Sequence, residues 1–334
     1  MQTILEDGDG EARFILCQKI GQGGSCSVYK GYSTKDSPQK IYAIKIYKEQ
    51  FKKYFDKEIS ISKNLPPKYF LTLIKFGTGH ITQEIINTSE NKPLNNISEK
   101  LNGQKVFYKV EEIAENGELF NFIYELKKGF SEKISAKIFV NILKSVKLLH
   151  ENSIIHGDIK PENILVGKDF GLKLIDFGFA QKFNKKNNNI INSTEGSDTY
   201  SSPEIRKGHI TGYDGVKSDI FSLGVLLFVI TVGSFPFNLS GYTDKKYRLI
   251  MTKNFKQFWK NFDDYNLSEE FKDLINHLIC YDPNQRLSID EIFEHPWIKN
   301  KVNFNNSFNK DYHIDDDVIN ELKQRKEFMV KKAN

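Results

Sequence analysis

On either side of Asn116-Gly117 the chain is patterned with two different periods. Before that point, apolar runs at Phe14-Ile20, Ser27-Tyr32 and Ile41-Tyr47 are separated by a glycine cluster and a Ser/Thr/Asp/Pro turn, which is how strands joined by tight connections are spelled. A single helix interrupts them. Glu49 to Leu65 sets Phe51, Phe55, Ile59 and, with some drift, Ile61 and Leu65 along one stripe, and Pro66-Pro67 ends it. Leu71-Phe76 and Val106-Ile113 read as two more strands, with the polar segment Thr78 to Gln104 between them as an extended loop insert. Beyond Gly117 the apolar spacing is helical, as in Ala136 to Glu151. A sheet and a set of helices so segregated bury their apolar faces separately, and 334 residues exceed what one core usually serves. The expected class is α+β: a small antiparallel β-sheet lobe with one main helix, followed by a larger, mostly α-helical lobe.

Bulk properties exclude several classes. Hydrophobic residues make up 39% and charged residues 27%, and no run approaches the roughly 18 apolar residues of a membrane span. The longest, Ile220 to Val232, is broken by Ser222, Gly224 and Thr231 and reads as a buried helix. The net charge of +5 is spread through alternating lysines and glutamates, the pattern of solvated helix faces, so neither nucleic acid nor membrane is an expected partner. Met1 to Glu11 is acidic and lacks the regions of a signal peptide, which points to the cytoplasm, with access to the nucleus left open. Cys17, Cys26 and Cys280 are too few and too scattered for a disulfide or zinc framework.

The chemistry-bearing residues concentrate in three places. Gly21-Gln22-Gly23-Gly24-Ser25-Cys26-Ser27-Val28 lies between two expected strands, where glycines let backbone amides approach phosphate oxygens. Tyr42-Ala43-Ile44-Lys45 puts a lysine on the third strand. His156-Gly157-Asp158-Ile159-Lys160-Pro161-Glu162-Asn163 is followed at Asp176 by Asp-Phe-Gly. Together these resemble the motifs of eukaryotic protein kinases of the serine/threonine type, most like the calcium/calmodulin-dependent group. The resemblance continues through Ser202-Pro203-Glu204, Asp219 and Arg286, and covers nearly all of Phe14 to Ile298.

It implies a bilobal kinase domain at 14–298, divided into an N-lobe (14–113), a hinge (113–118) and a C-lobe (117–298). An extension (1–13) precedes it and a basic tail (299–334) follows. The implied reaction moves the γ-phosphate of ATP to serine or threonine hydroxyls of proteins, with Mg2+. Asp158 is the implied base, Lys160 steadies the transferring phosphate, and Asn163 and Asp176 are oxygen ligands for magnesium. Lys45 would hold the α- and β-phosphates, fixed by a helix glutamate. Glu58 is best placed for that, with Asp56 the other acid in reach. The implied nucleotide site is completed by Gly21, Gln22, Gly23, Gly24, Ser25, Cys26, Val28, Ala43, Glu111, Glu112, Ile113, Glu118 and Leu165. Cys26 stands where the pattern has its third glycine, either as a thiol beside the nucleotide or as an inert small residue. Glu204 is expected to pair with Arg286, Asp219 to anchor the catalytic loop, and Ser197 to bridge Asp158 and Lys160.

Several departures carry meaning. Most related kinases have Arg where this chain has Gly157, and that Arg receives an activating phosphate. Its absence predicts weak dependence on modification of the segment Asp176 to Glu204, even though Ser193 and Thr194 occupy the usual region. Glu111 falls at the gatekeeper position, Lys109 shares its face by strand alternation, and Ser62 replaces an apolar residue of the helix. Either Glu111 competes with Glu58 for Lys45, or a one-residue register shift leaves it at the hinge. The resemblance to basophilic kinases implies that Glu118, helped by Glu162, reads an arginine upstream of the phosphoacceptor, the alternative being a hinge glutamate exposed to water, and Val229 where some relatives carry an acid implies one basic determinant. Phe179 directly after Asp-Phe-Gly resembles kinases that prefer serine.

The tail beyond Ile298 reads as irregular over Lys299 to Ile314, then as a basic amphipathic helix over Asp315 to Lys332 presenting Ile319, Leu322 and Phe328. Such a helix is expected to be solvated, the alternatives being docking on the catalytic lobe or binding calmodulin or another regulator. Two other functions compete with the kinase. One is a pseudokinase scaffold that binds nucleotide or partners without transfer. The other is a small-molecule phosphotransferase, which shares His-Gly-Asp and the Asn but lacks the Lys160, Ser-Pro-Glu, Asp219 and Arg286 signatures.

Overall fold

The computed structural model describes all residues except 1, 37–38, 85–102, 193–194, 207–211, 303–313 and 334. The chain divides into two units, Met1–Ala114 and Glu115–Asn334.

In the first unit, β1 (Gln2–Asp7), β2 (Arg13–Gln22), β3 (Cys26–Ser33), β4 (Ile41–Lys48), β5 (Leu73–Glu84) and β6 (Lys105–Glu112) form a closed antiparallel barrel in the order β1-β2-β3-β4-β6-β5. The three early strands and the last fall where the alternation put them. Two expectations change. Residues 2–7, expected as an extension outside the lobe, form β1, which pairs with both β2 and β5 and closes the sheet. Ile4 and Leu5 on it are fully buried. Thr78 to Glu84, expected as loop, continues β5, because β1 supplies partners for its backbone from Gly79 to Glu84 and β6 pairs with Thr78. The rest of that expected insert falls largely outside the described residues.

Period-two alternation then sorts each strand. Tyr29, Ile44, Ile46, Val106, Tyr108 and Val110 point into the barrel with Leu5, Phe14 and Leu16. Tyr47 and Phe107 pack on the other face with Cys26. Helix α1 (Lys52–Ser62) covers that face with Phe55 and Ile59, after a short 3-10 turn at Glu49–Phe51.

The second unit is helical around α3 (Glu132–Glu151) and α5 (Gly215–Val232), following the short α2 (Leu119–Tyr124). Small antiparallel pairs hold the loops: β7 (Ile154–Ile155) with β10 (Gln181–Lys182), β8 (Ile164–Val166) with β9 (Leu172–Leu174), and β11 (Ile190–Ile191) with β12 (Tyr213–Asp214). The short α4 (Pro203–Arg206) precedes β12, and α6 (Lys245–Met251), α7 (Phe255–Trp259), α8 (Glu269–Leu278), α9 (Ile289–Glu294) and α10 (Pro296–Lys301) follow α5.

Helix α5 is long and apolar enough by composition to cross a membrane, and it begins five residues before the apolar run read from sequence. Nearly all of it is buried in the core of its unit, the buried helix that was expected. Asp214 caps its first turn by accepting from the Val216 and Lys217 amides, and Gly233 at φ +81° ends it in the left-handed conformation that glycine tolerates.

The last helix, α11 (Asp316–Ala333), overturns the expectation of a solvated tail: it packs on α3 and α2 of its own unit. Val318 and Leu322 are fully buried, Ile319 is half-buried, and Phe328, expected on the same face, points to solvent. Arg325 supplies the polar fastening. Its guanidinium donates to the carbonyls of Phe122, Lys128 and Gly129 at 2.7–2.9 Å and lies 3.7 Å over the Phe130 ring. Most of the expected irregular stretch before α11 lies outside the described residues, although Lys299–Lys301 already belong to α10.

Candidate active site

The two units carry different parts of the expected chemistry. In the first, the glycine-rich segment is the β2–β3 hairpin, closed by the Gly23 amide on the Cys26 carbonyl at 2.9 Å. Gln22 is spent on the hairpin itself, accepting from the Ser27 hydroxyl at 2.9 Å and donating to the Gly23 carbonyl at 3.1 Å. Gly24 stands in open space and Ser25 is half-buried at the tip. Cys26 turns inward against Tyr47, Phe55, Ile59 and Phe107, which favours the inert reading of its thiol.

Val28, Ala43 and Lys45 share the sheet face opposite the barrel interior, with Val28 directly across from Lys45. Helix α1 presents Glu58 to that face. Both Glu58 oxygens lie 2.9 Å from the Lys45 ammonium, so Glu58 and not Asp56 is the lysine's partner; Asp56 pairs with Lys52 on the surface.

Glu58 holds more than Lys45. Lys109 Nζ lies 2.5 Å from its Oε1, and the Tyr47 hydroxyl donates to Oε2. Burial would raise the Glu58 carboxyl, but the ammoniums of Lys109 and then Lys45 outweigh it and hold it at about 2. Glu111 does not compete for Lys45: it lies 2.8 Å from Lys109 and accepts a hydrogen bond from it. Nor is the register shifted, because Glu111 sits opposite Ala43 inside β6 and is buried. Ser62 donates to the Glu58 backbone carbonyl at 2.9 Å and so satisfies itself within α1. Glu112 accepts from the Thr72 amide at 3.0 Å, and Ile113 follows the strand half-buried.

In the second unit the loop after β7 is suspended from Asp219 on α5. Its carboxylate accepts the amides of His156 at 2.9 Å and Gly157 at 3.0 Å, as expected, and His150 Nε2 lies 2.8 Å from it. Gly157 is at φ +76°, and a β-carbon there would meet the Phe179 carbonyl oxygen at 2.9 Å. The loop therefore follows a path made for glycine.

Asp158 is buried and held on both oxygens. Oδ1 accepts the Ser197 amide at 3.1 Å, while Oδ2 accepts the Asn163 amide nitrogen at 2.8 Å and lies 2.7 Å from Lys160 Nζ. Lys160 also donates to the Ser197 hydroxyl at 2.5 Å, so Ser197 bridges the two as expected. Burial raises the Asp158 carboxyl, but Lys160 and the hydrogen bond from Ser197 bring it below its ordinary value.

The Asn163 carbonyl accepts the Ile175 amide at 2.9 Å, and β8 pairs with β9, which brings Asn163 alongside the segment entering Asp176. Asp176 takes φ +67°, and its Oδ1 accepts the Gly178 amide at 3.3 Å. An amide oxygen and a carboxylate are hard donors that fit magnesium. Glu204 and Arg286 form the expected pair at 2.6 and 2.8 Å, buried, with Arg286 also donating to the Cys280 and Lys217 carbonyls.

Glu118 stands at the N-cap position of α2 without a side-chain capping bond and is bridged through its backbone to Leu165. Burial pushes its carboxyl up and the nearby Glu162 pushes it further. Glu162 is likewise raised by burial, and its Oε2 is buried without a hydrogen-bond partner. Ser193 and Thr194 lie outside the described residues. Among the described residues, one cluster has metal-binding composition: Asp273, His277 and His295. His295 is unsuited to ligation. Its Nδ1 accepts the Trp297 amide at 3.2 Å, so Nε2 carries the proton that faces Asp273 at 3.0 Å.

Sequence reasoning missed the Tyr47 and Lys109 bonds to Glu58 and the His150 contact to Asp219. Alternation already placed Tyr47 and Lys109 on the Lys45 face, so the signal was there for the face but not for the partner.

The protein kinase domain family profile matches residues 14–298. The SNF-related serine/threonine-protein kinase of Homo sapiens is 32% identical over 225 residues, 66% of this chain and 28% of that protein. The serine/threonine-protein kinase kin-29 of Caenorhabditis briggsae is 35% identical over 200 residues, 59% of this chain and 23% of its own length. CBL-interacting protein kinase 26 of Oryza sativa subsp. japonica is 30% identical over 312 residues, covering 91% of this chain and 55% of that relative. The aligned part thus spans from about a quarter to about half of these relatives' lengths.

Proposed function

The chain belongs to the eukaryotic protein kinase family, and from that premise we propose that it is a serine/threonine protein kinase that transfers the γ-phosphate of ATP to protein hydroxyls. The observation that carries this reading is the fully organised Asp158 carboxylate, fixed by Asn163, Lys160 and Ser197. In the proposed reaction the substrate hydroxyl is aligned by Asp158, its oxygen bonds to the γ-phosphorus, the bond from the γ-phosphorus to the β–γ bridging oxygen breaks, and ADP leaves. The hydroxyl proton passes to Asp158, whose lowered affinity for it suits a group that aligns first and accepts late. Lys160 stabilises charge on the transferring group, and Lys45, fixed by Glu58, holds the α- and β-phosphates. Asn163 and Asp176 would hold Mg2+, which when bound neutralises phosphate charge.

A preference for an arginine upstream of the acceptor is supported by Glu118 and Glu162. They are two half-buried carboxylates with raised proton affinity, one of them with an oxygen lacking a partner, and a guanidinium would relieve both. Val229 is buried in α5, which supports a single basic determinant. Weak dependence on activating phosphorylation is supported by the glycine-specific path at Gly157 and by the β10–β7 and β11–β12 pairs that pin the segment without a phosphate. Calmodulin or another tail-binding regulator would have to lift α11 from α2 and α3, exposing its Val318, Leu322 and Arg325, all buried in the docked position. The pseudokinase reading is weakened because Lys45, Asp158, Asn163 and Asp176 are all present.

The test is transfer from ATP with magnesium to serine peptides with and without an upstream arginine, comparing the parent chain with Asp158→Asn and Glu118→Ala. Transfer abolished by Asp158→Asn, and an arginine preference weakened by Glu118→Ala, are expected. No transfer by the parent chain, with nucleotide still bound, would favour the scaffold.

A further inference from the structure

Four ionisable side chains meet on one face of the first unit's sheet, all nearly removed from water: side-chain exposure is 12% for Lys45, 2% for Glu58, 3% for Lys109 and 11% for Glu111. Lys45 and Lys109 stand directly opposite in the β4–β6 register. One carboxylate, Glu58, touches both ammoniums, at 2.9 Å to Lys45 and 2.5 Å to Lys109. A second, Glu111, touches Lys109 alone among the described partners, at 2.8 Å. Among the described contacts, Lys109 and Glu111 bring one cation and one anion that cancel each other. Removal of any one member leaves an uncompensated charge where water cannot reach it.

We propose that Lys109 and Glu111 are a charge-balanced positioning pair for phosphate binding: Lys109 fixes Glu58 from behind, and Glu111 neutralises Lys109 so that Glu58 keeps its hold on Lys45. This rests on the reading above, in which Lys45 contacts the nucleotide.

The direction of the effect follows from the asymmetry of burial. Without Glu111, Glu58 is the one carboxylate among the described partners left to Lys109, and the unbalanced Lys109 ammonium faces Lys45 across the register. Lys109 is the more deeply buried and has no alternative solvation, so it retains Glu58. Lys45, more exposed, is the one displaced. Replacing Lys109 and Glu111 together by apolar residues removes one cation and one anion and leaves the Lys45–Glu58 contact without a competing ammonium. The two changes are therefore non-additive: the loss caused by the first is repaired by the second.

Initial-rate kinetics and calorimetric ATP affinity on the full chain test this with Glu111→Met, Glu111→Gln and the Lys109→Met/Glu111→Met double variant. The isosteric Gln variant guards against failure of the Met variant to fold. Glu111→Met and Glu111→Gln are expected to raise the KM and Kd for ATP by about tenfold, with peptide KM within about twofold of the parent. The double variant is expected to return ATP affinity to within about twofold. A purely structural role would instead lower the active fraction and kcat at unchanged KM, with no repair. Unchanged ATP affinity in both single variants, or a double variant no better than Glu111→Met, would overturn the inference. Parent chain that binds ATP but transfers nothing would overturn the kinase reading instead, and the affinity comparison would still decide the role of Glu111.

Discussion

Removing the Arg325 side chain by Arg325→Ala is expected to release α11 from its unit. The guanidinium makes three hydrogen bonds to backbone carbonyls, of Phe122, Lys128 and Gly129, and a further one to Glu321 at 2.8 Å. A hydrogen bond to a charged group is worth roughly 1.5–3 kcal/mol, and a buried carbonyl left unpaired costs about 1–3 kcal/mol. The three bonds share one donor group and do not add, so the gross loss is about 3–5 kcal/mol. A ceiling applies, because the helix can leave. The loss cannot exceed the docking free energy, to which buried Val318 and Leu322 contribute about 1.5–3 kcal/mol each. A local loss of about 3 kcal/mol corresponds to roughly a hundredfold rise in opening. Hydrogen–deuterium exchange on the full chain reads this directly. Amides of 318–330 should exchange about a hundredfold faster in Arg325→Ala, and by an intermediate factor in Arg325→Lys, since a lone ammonium cannot fork onto three carbonyls. Exchange within about threefold of the parent in Arg325→Ala would refute the fastening role.

Two further outcomes are expected. A Ser193→Ala/Thr194→Ala variant should transfer phosphate at the parental rate, and a large loss in a peptide phosphorylation assay would show that a phosphate in this segment is needed despite Gly157. Glu58 carries its proton only near pH 2, against an ordinary value of 4.5. Its folded value is depressed, so its stabilising contribution is complete above the unfolded value and is lost as pH falls from about 4.5 towards 2. Denaturant midpoints across that window should fall less steeply for Glu58→Gln than for the parent, and parallel slopes would contradict the assignment.

The catalytic residues were legible through the resemblance of their motifs to those of protein kinases, whose members lie close together in sequence. Asp158, Lys160 and Asn163 sit within one loop, so their spacing already fixes much of their geometry. Glu58 was legible as one acid on a short helix, although the choice over Asp56 needed the helix's rotation on the sheet. The barrel's closure was not legible. Whether residues 2–7 pair depends on β5, more than seventy residues away, and polar residues such as Thr78, His80 and Gln83 look like loop until a partner strand is supplied. Tail docking was hidden similarly: Arg325 reads as one more basic residue of a charged helix until three carbonyls are found beneath it.

The sequence by itself determined the strands from β2 to β4, β6 and helix α1, and the face on which their residues alternate, as local properties of period, while the set of groups for phosphoryl transfer came from the resemblance of its motifs to those of protein kinases. Tertiary structure decided which partner each buried charge takes. Alternation put Lys45, Lys109 and Glu111 on one face, but only the β4–β6 register and the seat of α1 set distances of 2.5–2.9 Å among them. Coulomb energy in a dry interior depends on those distances, and no one-dimensional pattern contains them.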